Sequence, residues 1–276
     1  MTIVFVLTNH KGGVGKTTAS CNLAFGLARA LHALKVPVNK VLLIDTDSQA
    51  HATLLTTGRN DYGRENSLYS VVLSDRKDAA ATMSRAIVES AWDENLHVLP
   101  GSALLESAER ELVGIPGAPY RIQNPLNVIG SSYAAVIIDT RPSFSLMTEM
   151  GLLAATHALI PVEPRYLETV GLLSVVGKIN EIREGWRHPE LRVSGILVNK
   201  MDVRIRGHVQ MLDGLKKHPT LGQLICGIIP SNEAITYSHH QHQSVFDYDA
   251  NCLASHAYAK LIGLLAPQVM SDLRGA

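Results

Sequence analysis

The feature that most constrains this chain is a glycine-rich loop near its start, between an apolar run and a stretch with helical spacing. Residues 11–18, the phosphate loop, read Lys-Gly-Gly-Val-Gly-Lys-Thr-Thr and follow the apolar run at residues 3–7. A helix that begins near Lys16 directs the positive end of its dipole at an anion in the loop. Three residues lack the Cβ atoms that would keep backbone N–H groups away from that anion: Gly12, Gly13 and Gly15. The loop therefore predicts a nucleoside triphosphate site, and the Gly-Lys-Thr ending disfavours the alternative, a flexible loop after a buried strand.

The side chains of the loop fit the polar groups of a triphosphate. Lys16 supplies a point charge for the outer phosphates, the Thr17 hydroxyl is placed to bind Mg²⁺, and Thr18 either bonds the α-phosphate or simply continues the helix. The front of the loop departs from the usual pattern, which has glycine five residues before the Gly-Lys pair. That position is His10, and an extra lysine, Lys11, follows it. A second ammonium here can project toward the phosphates of a neighbouring subunit.

Two further apolar runs end in aspartates and complete a resemblance to a known family. Residues 41–49 read Val-Leu-Leu-Ile-Asp-Thr-Asp-Ser-Gln, and residues 134–143 read Ala-Ala-Val-Ile-Ile-Asp-Thr-Arg-Pro-Ser. With the loop, these segments resemble the ParA/MinD family of deviant Walker-A ATPases, and within it the ParA/Soj-type partition ATPases without an N-terminal DNA-binding domain. The resemblance spans nearly the whole chain. It implies a P-loop NTPase architecture that binds ATP and Mg²⁺ and hydrolyses ATP slowly, as a switch.

The resemblance assigns roles to the candidate site residues. It implies that Lys11 reaches across a nucleotide-sandwich dimer to the partner's ATP, that Asp47 orients the attacking water, and that Asp45 supports the network of Mg²⁺ and water. Asp139 fits the Walker B role of holding Mg²⁺ directly or through water. The structural alternatives are a helix cap for Asp45 and a strand-terminal aspartate without function for Asp139.

The candidate residues thus form three overlapping sets. Those expected to act in catalysis are Lys11, Lys16, Asp45 and Asp47. Those expected to bind Mg²⁺ are Thr17, Asp45 and Asp139. The loop residues expected to bind ATP are Lys11, Gly12, Gly13, Val14, Gly15, Lys16, Thr17 and Thr18.

Two later segments are expected to form the base pocket. Residues 196–202 end a strand in Asn-Lys-x-Asp, and in the related ATPases an Asn here, Asn199 in this chain, can contact the adenine edge. The second segment, Pro230, Ser231 and Asn232, resembles the other wall and is expected to act largely through its backbone. Asn and Pro also simply end strands. The preference for ATP over GTP is therefore an implication of the family.

Several positions depart from the family pattern. Ser48 replaces the usual Pro, and Arg141 replaces the first Pro of a Pro-Pro-Ser run. Arg141 either senses nucleotide, contacts the dimer partner or forms a structural ion pair. Ser231 and Ala234 stand where ParA proteins usually offer arginines to DNA.

Any DNA contact must therefore come from other basic residues. The stretch from Glu181 to His218 has eight basic and five acidic residues, an excess of three positive charges. Each basic residue has the alternative of an ordinary solvated surface charge. The candidates for DNA contact are Arg183, Arg187, Lys200, Arg204, Arg206, Lys216 and Lys217, and Arg192 is the eighth basic residue of the stretch.

The pattern of apolar residues predicts an α/β fold. Most strand-like runs are continuous, as in parallel strands buried on both faces, at about residues 3–8, 40–45, 95–99, 134–139, 157–161, 192–198 and 225–229. Helical spacing appears between them, at about residues 16–35, 66–74, 78–91, 102–113, 166–184, 206–217 and 252–265. This alternation predicts a doubly wound, mostly parallel sheet with its site at the carboxyl ends of the strands. We expect a single domain over residues 1–276.

Composition limits the location and the partners. No segment reaches the roughly 18 unbroken apolar residues that cross a bilayer, and the strand at the N-terminus leaves no room for a signal peptide. We therefore expect a cytoplasmic protein, nucleoid-associated if it binds DNA. The chain has 25 basic and 25 acidic residues, so any affinity for nucleic acid must come from a local patch. Histidines 239, 240 and 242 fit no standard zinc spacing and predict a polar loop.

Together these features predict a switch that dimerises on ATP and hydrolyses it to partition or position DNA, as plasmid or chromosome, or another large cargo. The ATP dimer is expected to bind DNA without sequence preference, and a ParB-like partner to stimulate hydrolysis. The alternative is a MinD-like membrane-associated positioning ATPase, which needs a basic amphipathic C-terminal helix. Here only Lys260 is nearby, and Pro267 is expected to end the helix. A cluster-assembly scaffold would need paired cysteines, and an ATP-dependent ligase would not need Lys11.

Overall fold

The protein, as a computed structural model, is described over residues 2–165 and 168–275, without the side chains of residues 168–170, 274 and 275. Its strands are β1 (Ile3–Leu7), β2 (Val41–Asp45), β3 (Val88–Glu89), β4 (Leu96–Leu99), β5 (Ala135–Asp139), β6 (His157–Val162), β7 (Arg192–Met201) and β8 (Ile225–Pro230). They form one sheet in the order β3-β4-β2-β5-β1-β6-β7-β8. All neighbouring pairs are parallel except β3 with β4.

Helices connect the strands on both faces of this sheet. They are α1 (Lys16–Ala33), α2 (His51–Thr57), α3 (Leu68–Leu73), α4 (Ala79–Ala86), α5 (Leu105–Leu112), α6 (Gln123–Ile129), α7 (Leu146–Ala154), α8 (Glu168–Gly185), α9 (Arg206–Lys217), α10 (Glu233–His240), α11 (Val245–Tyr248) and α12 (Leu253–Gly275). The α/β architecture with a doubly wound, mostly parallel sheet is confirmed.

Alternate side chains of each central strand enter two separate cores. Val4 and Val6 of β1 join the core beneath α3 to α9, whereas Phe5 joins the core beneath α1 and α12. Burial on both faces is what continuous apolar runs indicate. On the second face α1 and α12 approach closely, because a Cβ added at Gly26 would lie 2.0 Å from Cδ1 of Ile262.

All seven predicted strands are present, and most of the differences lie in short elements. Strand β3 has only two residues and falls inside the predicted helix at 78–91, so α4 ends at Ala86. Five helices of four to nine residues were not predicted: α2, α6, α7, α10 and α11. The predicted helix at 166–184 is observed from residue 168, and residues 166 and 167 lie outside the described part. The single domain over residues 1–276 stays a prediction.

The prediction that Pro267 ends the last helix is wrong, because α12 continues through it to Gly275. Proline has no backbone N–H, so at position 267 it leaves the carbonyl of Gly263 without its helical hydrogen bond. The glycine backbone can tilt that carbonyl outward at little cost. Beyond the proline, Val269 remains fully buried, so packing holds the helix together. Across residues 2–165 and 168–275, no helix combines the length and the apolar character needed to cross a membrane.

Candidate active site

The carboxyl ends of three central strands bring the phosphate loop and two of the predicted aspartates together. In the register of the sheet, Leu7 of β1 pairs with Asp139 of β5, and Asp139 pairs with Asp45 of β2. The loop that follows Leu7 therefore opens beside both carboxylates.

The phosphate loop depends on two glycines with a left-handed backbone. Gly13 has a φ of 78° and Gly15 a φ of 85°, a region that favours glycine. Gly15 directly precedes α1, so the unpaired N–H groups of the first helical turn face the loop. Lys16 is buried, and its Nζ donates to the carbonyl of Lys11 at 3.0 Å. Burial lowers the pKa of Lys16, while Asp139 and Asp47 oppose that effect. The loop thus holds a buried ammonium where a phosphate would need it.

The front of the loop is fixed by neighbouring elements. The N–H of Lys11 donates to Oδ1 of Asn9 at 3.0 Å, and the Asn9 amide donates to the carbonyl of Pro161 in β6 at 2.8 Å. His10 lies against Phe144, with ring centroids 5.9 Å apart. The Lys11 side chain is half-buried, and its contact with a partner's nucleotide stays a prediction.

Asp139 links β5 to the first turns of α1. Its Oδ2 accepts a hydrogen bond from the Thr17 hydroxyl at 2.8 Å, and its Oδ1 accepts one from Ser20 at 2.8 Å. The carboxyl group is fully buried. Burial raises the pKa of Asp139 to about 7, and the Asp45 carboxylate adds to the rise. A divalent cation favours the ionised carboxylate, so Thr17 and Asp139 fit a Mg²⁺ ion.

Asp45 makes the contacts of a helix-capping carboxylate. Its Oδ2 accepts from the backbone N–H of Thr53 at 2.9 Å and from the Thr53 hydroxyl at 2.7 Å, in the first turn of α2. Its Oδ1 accepts from the N–H of Asp47 at 3.1 Å. Burial raises the pKa of Asp45 to about 6. These are the contacts of the structural alternative, and its role in the Mg²⁺ network stays a prediction.

Asp47 reaches the open space in front of the loop. It is half-buried and lines a cleft of about 800 Å³ together with Lys16, Thr17 and Thr18. Ser143 lines the same cleft, and its buried hydroxyl has no hydrogen-bond partner among the described residues. Such an unsatisfied hydroxyl beside glycine N–H groups and a buried lysine is the chemistry that binds a phosphate oxygen. The residues present therefore fit a nucleoside triphosphate.

The two departures on this side of the cleft have structural partners. Arg141 forms an ion pair with Glu109 at 2.7 Å, which is the structural alternative given for this residue. Glu109 also accepts the N–H of Met147 at 3.0 Å, so it joins Arg141 to the start of α7. Ser48 donates to Glu106 at 3.0 Å.

The predicted base-pocket residues are engaged with the backbone. The Asn199 amide donates to the carbonyl of Val14 at 2.8 Å, while its Oδ1 is buried without a partner among the described residues. Asn232 caps α10 by accepting the N–H of Ala234 at 2.8 Å. The N–H of Ser231 donates to the carbonyl of Met201 at 2.8 Å, and Pro230 ends β8. The contact of these residues with a base stays a prediction.

The basic residues of the stretch from Glu181 to His218 do not form one patch, which corrects the sequence-based expectation. Arg192 starts β7 and Lys200 is near its end, about 26 Å away along the strand. Arg183, Arg187, Lys216 and Lys217 follow Arg192 to the amino edge of the sheet, because α8 and α9 both end there. Arg204 and Arg206 follow Lys200 to the carboxyl edge, where Arg204 pairs with Asp202 at 2.7 Å.

The histidine segment is also different from the prediction. His239 and His240 lie in the last turn of α10 and not in a loop, because the Asn232 cap starts a helix there. Within the described ranges, no group of three or more His, Cys, Asp or Glu side chains could hold a metal ion.

Sequence reasoning missed the residues that tie the strand ends to one another. The Thr140 hydroxyl donates to the carbonyl of Leu7 at 2.7 Å, and the Thr46 hydroxyl donates to the carbonyl of Asp139 at 2.8 Å. Ser20 and Thr53 hold the two buried carboxylates, as described above. The available signal was position: Thr46 and Thr140 are hydroxyl residues directly after a strand, and Ser20 lies one helical turn after Thr17.

Comparison with known proteins agrees with this geometry. The AAA domain family matches residues 1–193. The chromosome-partitioning ATPase Soj of Thermus thermophilus is 30% identical over 98% of this chain and 96% of that protein. The chain belongs to the ParA/MinD family of deviant Walker-A ATPases. As a ParA/MinD-family protein it is a P-loop ATPase of the partition and positioning class.

Solved structures show how widely this family's fold is shared. A cobyrinic acid a,c-diamide synthase from Mycobacterium smegmatis, with bound ATP analog and magnesium, has a TM-score of 0.77 at 24% identity over 99% of this chain and 97% of that one. A plasmid partition protein from Borrelia burgdorferi has a TM-score of 0.68 at 20% identity over 97% and 99%. At these identities the likeness shows the fold alone, and a synthase and a partition protein share it.

Proposed function

We propose that this ParA/MinD-family chain is an ATP-dependent dimerising switch that partitions or positions DNA or another large cargo. The observation that carries the proposal is the phosphate loop, with Lys11 at its front and Lys16 buried at its end, opening beside Asp139 and Asp45. A loop that needed only to bind its own nucleotide would have one lysine. The second lysine therefore supports a site completed by another subunit.

Each residue of the site has a role in the proposed reaction. The N–H groups of the loop and the Lys16 ammonium bind the phosphates. The Thr17 hydroxyl and the Asp139 carboxylate would hold a magnesium ion, which would supply positive charge that offsets the charge of the phosphates. Asp47, half-buried at the cleft, orients the water that attacks the γ-phosphate. Asp45 fixes the backbone N–H of Asp47 and so holds that residue in place.

Dimerisation is proposed to be the output of ATP binding. The Lys11 ammonium of each subunit contacts the triphosphate of the other, so the dimer binds ATP more tightly than the monomer does. A ligand shifts an equilibrium only by its differential affinity for the two states. Slow hydrolysis, stimulated by a ParB-like partner, then returns the protein to monomers. The names of the relatives, partition ATPases, support this cycle.

Non-specific DNA is the proposed matrix for the ATP dimer. The basic residues at the two edges of the sheet are the candidates, because a dimer doubles each small group of positive charges. In this proposal the protein is cytoplasmic and nucleoid-associated. The MinD-like alternative is less supported, because the apolar face of α12, with Leu261, Leu265 and Val269, is packed in the core and would have to leave it to bind a membrane.

A gel shift of generic duplex DNA over a salt series tests this matrix. We expect retardation with ATP and Mg²⁺ but not with ADP, and a loss of affinity of at least about tenfold between about 50 and 200 mM salt. The double variants Lys216→Ala/Lys217→Ala and Arg204→Ala/Arg206→Ala remove charge from opposite edges, so the one that lowers the salt slope identifies the contacting edge. The absence of retardation at low salt would contradict DNA as the matrix.

A further inference from the structure

Two consecutive residues at the end of β7 bond to the backbone of the phosphate loop. The Nδ2 of Asn199 donates to the carbonyl of Val14 at 2.8 Å and lies 3.4 Å from that of Gly15. The Nζ of Lys200 donates to the carbonyl of Gly13 at 2.5 Å. Three consecutive carbonyl groups of the loop are therefore held from β7, which is separated from β1 by β6 in the sheet.

Holding these carbonyls fixes the groups that bind phosphate. In a planar trans peptide the carbonyl and the next residue's N–H point in opposite directions. A bond to the carbonyl of Gly13 therefore sets the direction of the Val14 N–H, and bonds to the next two carbonyls set those of Gly15 and Lys16. Donors that are oriented before the ligand arrives bind it more tightly, because no reorganisation is needed on binding.

Lys200 is held in this position by its backbone and by a buried partner. Its φ of 55° is left-handed, which is unfavourable for a lysine. The pairing of β7 with β8 is irregular between Val198 and Met201, and such bulges re-aim side chains beside active sites. Its Nζ also contacts Oε1 of Glu163 at 2.7 Å, and the Glu163 side chain is only 9% exposed. Half of the Lys200 side chain is exposed. Its backbone and its ammonium group are nevertheless both held in place.

We propose that Asn199 and Lys200 are positioning residues that hold the phosphate loop in its anion-binding form before nucleotide binds, with Glu163 anchoring the Lys200 ammonium. This inference rests on the proposed function only in assuming that the loop binds a triphosphate. It gives Asn199 a role toward the loop that does not depend on the base. In this proposal the left-handed backbone of Lys200 serves to bring its ammonium to the carbonyl of Gly13.

A comparison of two probes, one with a base and one without, distinguishes a residue that positions the loop from a residue that recognises the base. A residue that reads adenine affects ATP but not tripolyphosphate, which has no base. A residue that orients the loop affects both probes equally. The experiment therefore measures the dissociation constants of ATP and of tripolyphosphate, each with Mg²⁺, by calorimetry on the full chain.

The variants are Lys200→Met, Lys200→Arg and Asn199→Ala, with Lys178→Met as the matched control. Lys178 pairs with Glu181 on the exposed surface of α8, far along the chain from the loop. We expect Lys200→Met to raise the dissociation constants of both probes about tenfold, which is the effect of losing one hydrogen bond from a charged donor. Lys200→Arg should recover most of that affinity, Asn199→Ala should weaken both probes, and Lys178→Met should match the wild type. A loss confined to ATP, or no loss in the Lys200→Met protein, would overturn the inference.

A further variant separates the positioning role from folding. Asn tolerates the left-handed backbone better than Lys does, and Glu163 keeps its ion pair with Arg165 at 2.8 Å. Lys200→Asn should therefore not lower the midpoint of thermal unfolding, yet it should weaken the binding of tripolyphosphate as Lys200→Met does. Unchanged tripolyphosphate affinity in this variant would contradict the inference. A wild type that binds neither probe would refute the proposed function itself, whereas a wild type that binds both, with variants that match it, would refute only the positioning role.

Discussion

The two sides of the candidate site prepare for the same ligand in opposite ways. At the ends of β2 and β5, Asp45 and Asp139 are fully buried, and burial raises the pKa of both. At the end of β7, Asn199 and Lys200 bond to loop carbonyls, and the Lys200 ammonium pairs with Glu163, which also pairs with Arg165. Among the described residues, the two carboxyl groups of the first side accept hydrogen bonds but form no ion pair. On the second side the Lys200 ammonium is paired, and only the Asn199 Oδ1 is buried without a partner.

This difference indicates a division of labour. A buried carboxylate without a cation is destabilising, and a bound Mg²⁺ relieves that penalty. In the proposed switch, the side of Asp45 and Asp139 therefore changes its energy when a metal-bound nucleotide binds. The side of Asn199 and Lys200 needs no such change, so it serves as the fixed support of the loop. We therefore expect substitutions on the side of Asp45 and Asp139, the aspartate side, to abolish the protein's response to its ligand.

The largest effect on the aspartate side is expected from Asp47→Ala. Without the carboxylate that orients the attacking water, we expect phosphate release to fall by about 100-fold or more, while ATP still binds. The variant should accumulate as an ATP-bound dimer in light scattering. The exposed Asp61→Ala variant is the control and should release phosphate at the wild-type rate. Undiminished phosphate release by Asp47→Ala would remove this residue from the mechanism.

A smaller effect is expected on the stability of the nucleotide-free protein from Asp139→Asn. Because the folded-state pKa of Asp139 is raised to about 7, the stability that this group contributes is present at low pH and is lost as pH rises through about 7. The variant has no such charge, so at pH 8 its free energy of unfolding should exceed that of the wild type by about 2 kcal/mol. The difference should shrink toward pH 5.

Thermal unfolding over a pH series without nucleotide measures this effect. The exposed Asp75→Asn variant is the matched control and should follow the wild type at every pH. Equal stability of Asp139→Asn and wild type at pH 8 would show that the aspartate side holds no uncompensated charge, and the contrast between the two sides would fail.

The sequence predicted more of the side with Asp45 and Asp139 than of the side with Asn199 and Lys200. Continuous apolar runs ending in Asp45 and Asp139 predicted both the strands and the meeting of their carboxyl ends, because parallel strands present those ends at one edge. The contacts of Asn199 and Lys200 with the loop could not be predicted, since they depend on the irregular pairing of β7 and on one left-handed residue. The side chains of Asn199 and Lys200 can contact the loop only once the sheet has formed.

The same limit explains the errors elsewhere. Proline breaks many helices, but burial of the turn that follows Pro267 keeps α12 continuous. The eight basic residues are close in sequence, yet one strand and two helices carry them to opposite edges of the sheet. Local pattern predicted the elements, and the connections between elements decided where the charges lie.

The central claim is that the Lys11 ammonium of one subunit completes the nucleotide site of the other, and light scattering of Lys11→Ala with Mg²⁺ and ATP tests it most directly. We expect the wild type and the exposed-lysine control Lys77→Ala to shift from the monomer to the dimer mass on addition of ATP. Lys11→Ala should remain monomeric while still binding ATP, measured in the same samples by a fluorescent analogue. Normal ATP-dependent dimers of Lys11→Ala would contradict the claim.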